Sequence, residues 1–119
     1  MWCRIVRHTL AISWLGVVQP SLAAGIAVEG DVDCGIWVKA RTEGQSAILE
    51  GYVLGLMNGL ALASQIEFWQ ATGVPVGREQ VFLWMDNYCR ANPLSRTAVG
   101  AVALMIEHTG DRFRQSIAK

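Results

Sequence analysis

Residues 45–70 read QSAILEGYVLGLMNGLALASQIEFWQ, and this stretch decides the fold. Small residues recur in it at every fourth position: Ala47, Gly51, Gly55, Gly59 and Ala63. An α-helix turns once in about 3.6 residues, so this spacing places the small residues along one side of a helix. Glycine inside a helix costs about 0.5–1 kcal/mol relative to alanine. We therefore expect Gly51, Gly55 and Gly59 to form a groove in which a second helix packs closely.

The same spacing of small residues is typical of transmembrane helices that pair within a membrane. Here Glu50 and Asn58 interrupt the apolar stretch, and Gln65 and Glu67 follow it closely. Polar and charged groups of this kind are costly in a lipid environment. We therefore expect a buried helix of a soluble bundle, without stable insertion into a membrane.

The sequence before this helix predicts another. Asp33 is placed to act as the N-cap of a first helix over residues 34–41, because its side chain can accept a hydrogen bond from a free backbone N–H group. Thr42 and Gln45 resemble a capping box, in which Thr42 would cap the long second helix and Gln45 would reach back to it. The second helix is therefore expected to run from about residue 45 to residue 70.

Two more helices are predicted after the second. Residues 71–77 form a cluster of turn-forming residues, and a third helix is expected over residues 78–89. Asn92 suits the N-cap of a fourth helix over residues 93–108, with proline at its first position and a stop at Gly110. This fourth helix is rich in small residues and is our candidate to lie in the glycine groove. No stretch alternates as a β-strand does, so we predict a single all-α domain of four helices.

The N-terminal 23 residues have the three parts of a secretory signal. Arg4 and Arg7 supply a positive start, residues 9–18 are apolar and almost uncharged, and small residues precede the expected cleavage point. A retained N-terminal anchor is the alternative, but the apolar run is shorter than the roughly 20 residues that a spanning helix needs. We therefore divide the chain into a cleaved signal peptide, residues 1–23, and a mature domain, residues 24–119. A periplasmic or secreted protein follows.

Removal of the signal changes the charge of the chain. The whole sequence balances ten Lys and Arg residues against ten Asp and Glu residues. Loss of Arg4 and Arg7 leaves eight basic against ten acidic residues, a formal charge of −2. Nucleic-acid-binding domains carry a clustered basic face, and anionic membrane surfaces attract basic segments. A weakly acidic domain fits neither, so we expect no nucleic-acid partner.

Two cysteines, Cys34 and Cys89, remain in the mature domain. An oxidising compartment favours their pairing, and neither belongs to a C-x-x-C motif. In the chain-entropy account, closing a loop of this size stabilises a fold by about 4 kcal/mol. That is a large share of the stability of so short a domain. We therefore predict a disulfide between Cys34 and Cys89.

No catalytic or metal-binding pattern is legible in the sequence. It contains no nucleophile elbow, phosphate loop or H-E-x-x-H motif. His108 is the one histidine of the mature domain, near the end of the predicted fourth helix, where it can interact with the last carbonyl groups. Asp31 and Asp33 are explained by capping rather than by calcium, because the rest of an EF-hand loop is missing. We predict no catalytic residue, no metal, no cofactor and no enzymatic activity.

Large aromatic residues are numerous for a helical domain of this size. Most are expected in the core, where their area stabilises a small domain. They cannot all face one core from single helices, so we expect some of them at a partner interface. Our candidates for partner binding are Phe68, Trp69, Phe82 and Trp84.

Three features resemble known small periplasmic helical proteins: a cysteine that opens the first helix, GYVLG at residues 51–55, and YCRANPL at residues 88–94. The groups are the HdeA-like acid-stress chaperones and the Rap/Tai-type immunity proteins, which neutralise amidase effectors delivered by type VI secretion. The two cysteines are similar to the HdeA arrangement, whereas residues 80–104 are more similar to the immunity group. That group often has a cysteine just before the Gly-Tyr pair, where this chain has Glu50.

The resemblance implies a non-enzymatic protein that binds another protein, a client or a toxin, and itself as a homodimer in the chaperone case. An HdeA-like chaperone would be a dimer at neutral pH that loosens as its carboxylates are protonated, near their ordinary pKa values of about 4. An immunity protein would present a rigid surface to a toxin. A structural accessory of an envelope or secretion complex is a third class. The cysteine placement favours the chaperone.

Overall fold

The structure is a computed structural model that describes residues 28–119. The predicted signal peptide, residues 1–23, lies outside the described residues. Five helices follow one another along the described chain: α1 (Cys34–Glu43), α2 (Ala47–Ser64), α3 (Arg78–Ala91), α4 (Thr97–Thr109) and α5 (Asp111–Ile117). Within residues 28–119 the extended backbone pairs only in an isolated bridge between Asp33 and Arg96. The all-α prediction is confirmed, with five helices where four were expected.

Helix α4 lies at the centre of the domain and packs against α2, α3 and α5, while α1 packs against α3. Helix α2 is therefore an edge helix with α4 along one side. The core between the helices is formed by large buried side chains: Trp37, Met57, Phe68, Phe82, Met85, Met105 and Phe113. Phe113 explains the fifth helix, because this short segment places an aromatic ring in the core immediately after the turn at Gly110.

The predicted disulfide is confirmed. Cys34 at the start of α1 is bonded to Cys89 near the end of α3, and both residues are buried. The bond joins residues separated by 55 positions in the chain. It therefore ties α1 to α3 at one end of their shared interface.

The first helix begins as predicted, since the side chain of Asp33 accepts a hydrogen bond from the N–H group of Ile36. The predicted capping box is wrong. Helix α1 continues to Glu43, the hydroxyl of Thr42 donates to the carbonyl of Val38 within it, and Gly44 ends it with a φ of 69°. Helix α2 then begins after Ser46 rather than at Gln45.

Helix α2 ends at Ser64 rather than at residue 70, because Gln65 adopts a left-handed backbone conformation with a φ of 56°. Residues 65–77 then form turns and irregular backbone. Within this irregular segment, Phe68 is fully buried in the core. Helix α3 begins at Arg78 as expected, and Gln80 accepts a hydrogen bond from the backbone N–H of Gly77.

Helix α4 begins at Thr97 rather than at residue 93, so the prediction for Asn92 is wrong. Asn92 ends α3 instead: its side chain and its backbone N–H group both donate to the carbonyl of Tyr88. The cap of α4 comes from a distant part of the chain, since one carboxylate oxygen of Asp31 accepts from the Ala98 N–H and the Thr97 hydroxyl.

Candidate protein-binding surface

One side of α2 is exposed along its whole length. We call it the glycine face and define it by six residues that are all exposed: Ile48, Gly51, Gly55, Asn58, Gly59 and Leu62. Ile48 is 87% exposed and Leu62 is 79% exposed. Only Val53 and Met57, on the opposite side, are fully buried among the 18 residues of the helix. The prediction that α2 is a buried helix is therefore wrong.

The predicted packing of α4 into the glycine groove is also wrong. Within residues 28–119, no atom outside the neighbouring residues and the helix's own backbone lies within 4 Å of the position that a Cβ would occupy on Gly51, Gly55 or Gly59. Helix α4 contacts the other side of α2, where Val53 and Met57 are buried. The spacing of the glycines indicated correctly that they share a side of the helix, but their partner is not another helix of the described domain.

The close approach of two helices occurs instead between α3 and α4. A Cβ on Gly100 would lie 2.7 Å from the sulfur of Met85 and 2.9 Å from the ring of Tyr88. The Tyr88 ring is held in place because it stacks on Trp84 and its hydroxyl is hydrogen-bonded to Ser95. Of the glycines that the structure describes, Gly100 has the least room for a side chain.

The aromatic candidates divide into two pairs. Phe68 and Phe82 are buried in the core, so their prediction as partner-binding residues is wrong. Trp69 and Trp84 are partly exposed, and each indole N–H donates to a surface side chain, Asn58 for Trp69 and Glu107 for Trp84.

Trp69 extends the glycine face. The indole N–H lies 2.8 Å from the amide oxygen of Asn58. A groove of about 520 Å³ adjoins this contact and is lined by apolar Leu62, Ile66 and Trp69 and by polar side chains that include Glu67. A partly apolar groove beside an apolar helix surface enlarges the area that a partner could cover.

The N-terminal end of α2 is held by a network of charged groups. Arg41 on α1 makes two hydrogen bonds of 3.0 Å to Asp86 on α3 and one of 2.6 Å to Glu50 on α2. The hydroxyl of Ser46 also donates to Glu50, and the indole N–H of Trp37 donates to Asp86. A single guanidinium thus links three helices.

The network changes the acidity of its members. Hydrogen bonds from Ser46 and then from Arg41 hold the pKa of Glu50 below its ordinary value, although burial opposes them. The hydrogen bond to Asp86 raises the pKa of Arg41, which stays charged in any case. Ionised Glu50 is therefore part of the contact that fixes α2 to α1.

A second acidic group holds the start of α4. The side chain of Asp31 is 5% exposed and forms an ion pair with Arg96 at 2.7 Å, in addition to its bonds to Thr97 and Ala98. Burial raises the pKa of Asp31, but the hydrogen bonds from Thr97, Arg96 and Ala98 outweigh it and leave the pKa below its ordinary value. The sequence predicted a capping role for this residue, but not which helix it would cap.

A second cleft, of about 270 Å³, lies between the segment after α2 and helices α3 and α4. Trp84, Glu107 and His108 line it together with apolar side chains. The ring of His108 packs edge-on against Phe68 with 5.0 Å between ring centres, and its buried Nε2 atom has no hydrogen-bond partner in the described part of the chain. Among residues 28–119, no three histidine, cysteine or acidic side chains come together as a metal site would require.

By length and composition, α2 is the one helix in the described part of the chain that could cross a membrane. Its side-chain contacts with the core and with Arg41 show how it is held in this domain. No protein family, curated protein or solved structure matches the chain. The fold and its surface thus define a class, a small disulfide-linked all-α domain with one apolar helix face exposed.

Proposed function

We propose that this chain is an exported, non-enzymatic protein whose function is to bind another protein through the glycine face. The exposed apolar side of α2 is the observation that carries the proposal. Its three glycines each cost about 0.5–1 kcal/mol in a helix, and no contact within the described domain offsets that cost. A contact with a second molecule would offset it.

The shape of the glycine face favours a helix as the bound element. Glycines spaced by four leave a shallow groove between rows of side chains, and side chains of a crossing helix can pack into such a groove. Ile48 and Leu62 stand at its two ends, and the face carries no charged side chain. The partner surface should therefore be an uncharged apolar helix, because a charge buried against this face would have no counter-ion.

A chaperone of the HdeA-like type is the form of this function that we place first. Glu50 supports it, because this ionised group fixes the start of α2 to Arg41 and would release it on protonation in acid. A Rap/Tai-type immunity protein would use the same face as a fixed surface for a toxin. The two roles differ in whether binding requires acid.

The test measures how strongly the protein prevents the aggregation of a client at two pH values. Aggregation of an acid-sensitive client is measured at pH 7 and pH 3 with the chain and with its Gly55→Leu and Leu94→Ser variants. Leu94 is 98% exposed and lies outside α2, so its variant is the matched control. Protection in acid that Gly55→Leu abolishes and Leu94→Ser retains is the expected result. Equal protection by all three chains would exclude the glycine face as the surface that binds the client.

Export is tested separately by mass spectrometry of the periplasmic fraction. We expect a chain that begins after residue 23 and carries the disulfide. A chain that keeps residues 1–23 in the cytoplasmic fraction would contradict the proposal.

A further inference from the structure

We propose that the cleft between α3, α4 and the segment after α2 binds a small organic cation, in which an amidinium, guanidinium or ammonium group is carried on a short apolar body. None of the residues that line this cleft belongs to the glycine face. The site is therefore separate from the surface proposed to bind a protein, and it stands or falls independently of that function.

The size and the floor of the cleft set the body of the ligand. Its volume is about 270 Å³, slightly below the about 300–1,000 Å³ of most small-molecule sites. Phe68 and Val81 line it although they are only 0% and 1% exposed, so they form a closed apolar floor. A cavity of about 150 Å³ accommodates one benzene ring. The cleft therefore has room for one ring, or a chain of similar size, together with one polar group.

The walls of the cleft are held in place by hydrogen bonds and by ring stacking. Trp84 stacks on Tyr88 with 5.3 Å between ring centres, and its indole N–H donates to Glu107. The side chain of Gln80 accepts a hydrogen bond of 2.7 Å from the N–H group of Gly77. Side chains that are already fixed lose little conformational entropy when a ligand binds. The cleft is thus largely preformed.

The charge of the lining indicates a cation. In the described part of the chain, Glu107 is the one acidic side chain among the lining residues, and no lysine or arginine is among them. It is exposed to solvent, and within residues 28–119 no basic side chain forms an ion pair with it. A carboxylate accepts several hydrogen bonds, and those between charged groups are the strongest. A cation therefore gains most in this cleft, whereas an anion meets a like charge.

His108 supplies a second polar contact. Its Nε2 atom is buried and has no hydrogen-bond partner in residues 28–119. Buried polar atoms are nearly always hydrogen-bonded, because an unsatisfied one costs free energy. A neutral imidazole offers one nitrogen as an acceptor. The Nε2 atom is shielded from water, so the ring would turn toward the cleft as an N–H group of the ligand approaches. An amidinium or a guanidinium has enough N–H groups to bind Glu107 and His108 together.

The first experiment compares three probes of nearly the same shape: benzamidine, benzamide and benzoate, which are a cation, a neutral molecule and an anion at neutral pH. Calorimetry measures their binding to the disulfide-bonded chain, and the NMR signal of the Trp84 indole N–H group reports entry into the cleft. We expect benzamidine to bind at least about tenfold more tightly than benzamide, the factor that a hydrogen bond to a charged group contributes. Equal affinities for these two, or an unchanged Trp84 signal with every probe, would overturn the site.

The second experiment assigns the residues. Glu107→Gln should weaken the binding of benzamidine at least about tenfold and leave that of benzamide unchanged, because it removes the charge and keeps the shape. His108→Phe should also weaken benzamidine, although it keeps an aromatic ring beside Phe68. Glu43→Gln is the control, since Glu43 is exposed at the end of α1, outside the cleft. Far-UV circular dichroism shows that each variant is folded. A control that weakens benzamidine as much as Glu107→Gln does would show a general effect of charge and overturn the site.

The cation could be a free molecule or the arginine side chain of a protein, and a further pair of probes distinguishes the two sources. Acetyl-arginine amide presents the side chain as a protein does, and acetyl-citrulline amide is its uncharged counterpart. Tighter binding of the arginine probe than of the citrulline probe assigns the cleft to a protein side chain, whereas binding of benzamidine alone assigns it to a free molecule. If neither cation binds, the proposal is overturned, and the glycine face is unaffected by that result.

Discussion

Two glycines in neighbouring helices have opposite surroundings, and they give a matched pair of substitutions. Gly100 faces Met85 and Tyr88 across the α3–α4 contact, whereas no other part of the described domain lies against Gly55. We expect Gly100→Ala to lower the free energy of unfolding by about 1–3 kcal/mol, since an added methyl group overpacks the contact. Gly55→Ala should raise it by about 0.5–1 kcal/mol, because alanine is the better helix former. Urea denaturation measures both, and equal effects would contradict the assignment of the two environments.

Asp31 allows a test of capping from a distant part of the chain. We expect Asp31→Ala to cost about 1–2 kcal/mol of unfolding free energy, because the N–H group of Ala98 loses its acceptor and Arg96 loses its ion pair. Asp111→Ala is the control, since Asp111 is exposed at the start of α5 and that helix has no side-chain cap. Thermal unfolding compares the two variants. If Asp111→Ala lowered the stability as much as Asp31→Ala does, the assignment of Asp31 as the cap of α4 would be contradicted.

At the level of the helices, Arg41 is the group that joins three of them. We expect Arg41→Met to lower the free energy of unfolding by about 2–3 kcal/mol, because Asp86 stays largely buried with one hydrogen bond, from Trp37, and Glu50 loses its counter-ion. Arg78→Met is the matched control, since its ion pair with Glu79 is about three-quarters exposed and such pairs contribute about 0–1 kcal/mol. Chemical denaturation that ranks the two variants in the reverse order would contradict the network.

The sequence predicted helices well where the deciding residues are local. Asp33 caps α1 three residues ahead of the N–H group it binds, and Gly110 ends α4 by its own conformation. The prediction of the start of α4 was wrong because its deciding residue is distant in the chain. No residue near Asn92 indicates that Asp31 caps α4 instead. The end of α2 was also predicted wrongly, because the helix ends where Gln65 adopts a left-handed backbone conformation, which residues other than glycine rarely do.

The candidate surface was predicted only in part. A repeat of four identifies which residues share a side of a helix, but it contains no information about what lies against that side. Gly51, Gly55 and Gly59 were therefore grouped correctly and given the wrong neighbour. The same limit applies to Phe68 and Phe82, whose burial depends on how α2, α3 and α4 meet.

The whole molecule should lose stability in acid. The pKa values of Glu50 and Asp31 lie below their ordinary values of 4.5 and 3.8 in the folded chain, so the unfolded chain binds protons more readily. Their contribution is complete above about pH 4.5 and is lost as the pH falls through the folded pKa values. Urea denaturation is measured from pH 7 to pH 2. The urea concentration at the midpoint of unfolding should decrease as the pH falls below about 4.5.

The Glu50→Gln variant tests whether Glu50 is responsible for the loss of stability in acid. It should be less stable than the unchanged chain at pH 7 and should lose less of its stability on acidification, because glutamine does not titrate. Glu43→Gln is the control, since Glu43 is exposed at the end of α1. An acid loss that is the same in all three chains would show that other carboxylates dominate.

The cap on α4 has a consequence for the order of folding. Residues 31–34 contact residues 89–98 through the Asp31 carboxylate, the Asp33–Arg96 bridge and the disulfide. A chain delivered through a narrow channel with its N-terminus leading presents residues 31–34 early, yet they can complete none of these contacts until some sixty more residues have passed. If the chain is exported as proposed, these contacts can form only late in its passage, when residues up to 98 have emerged.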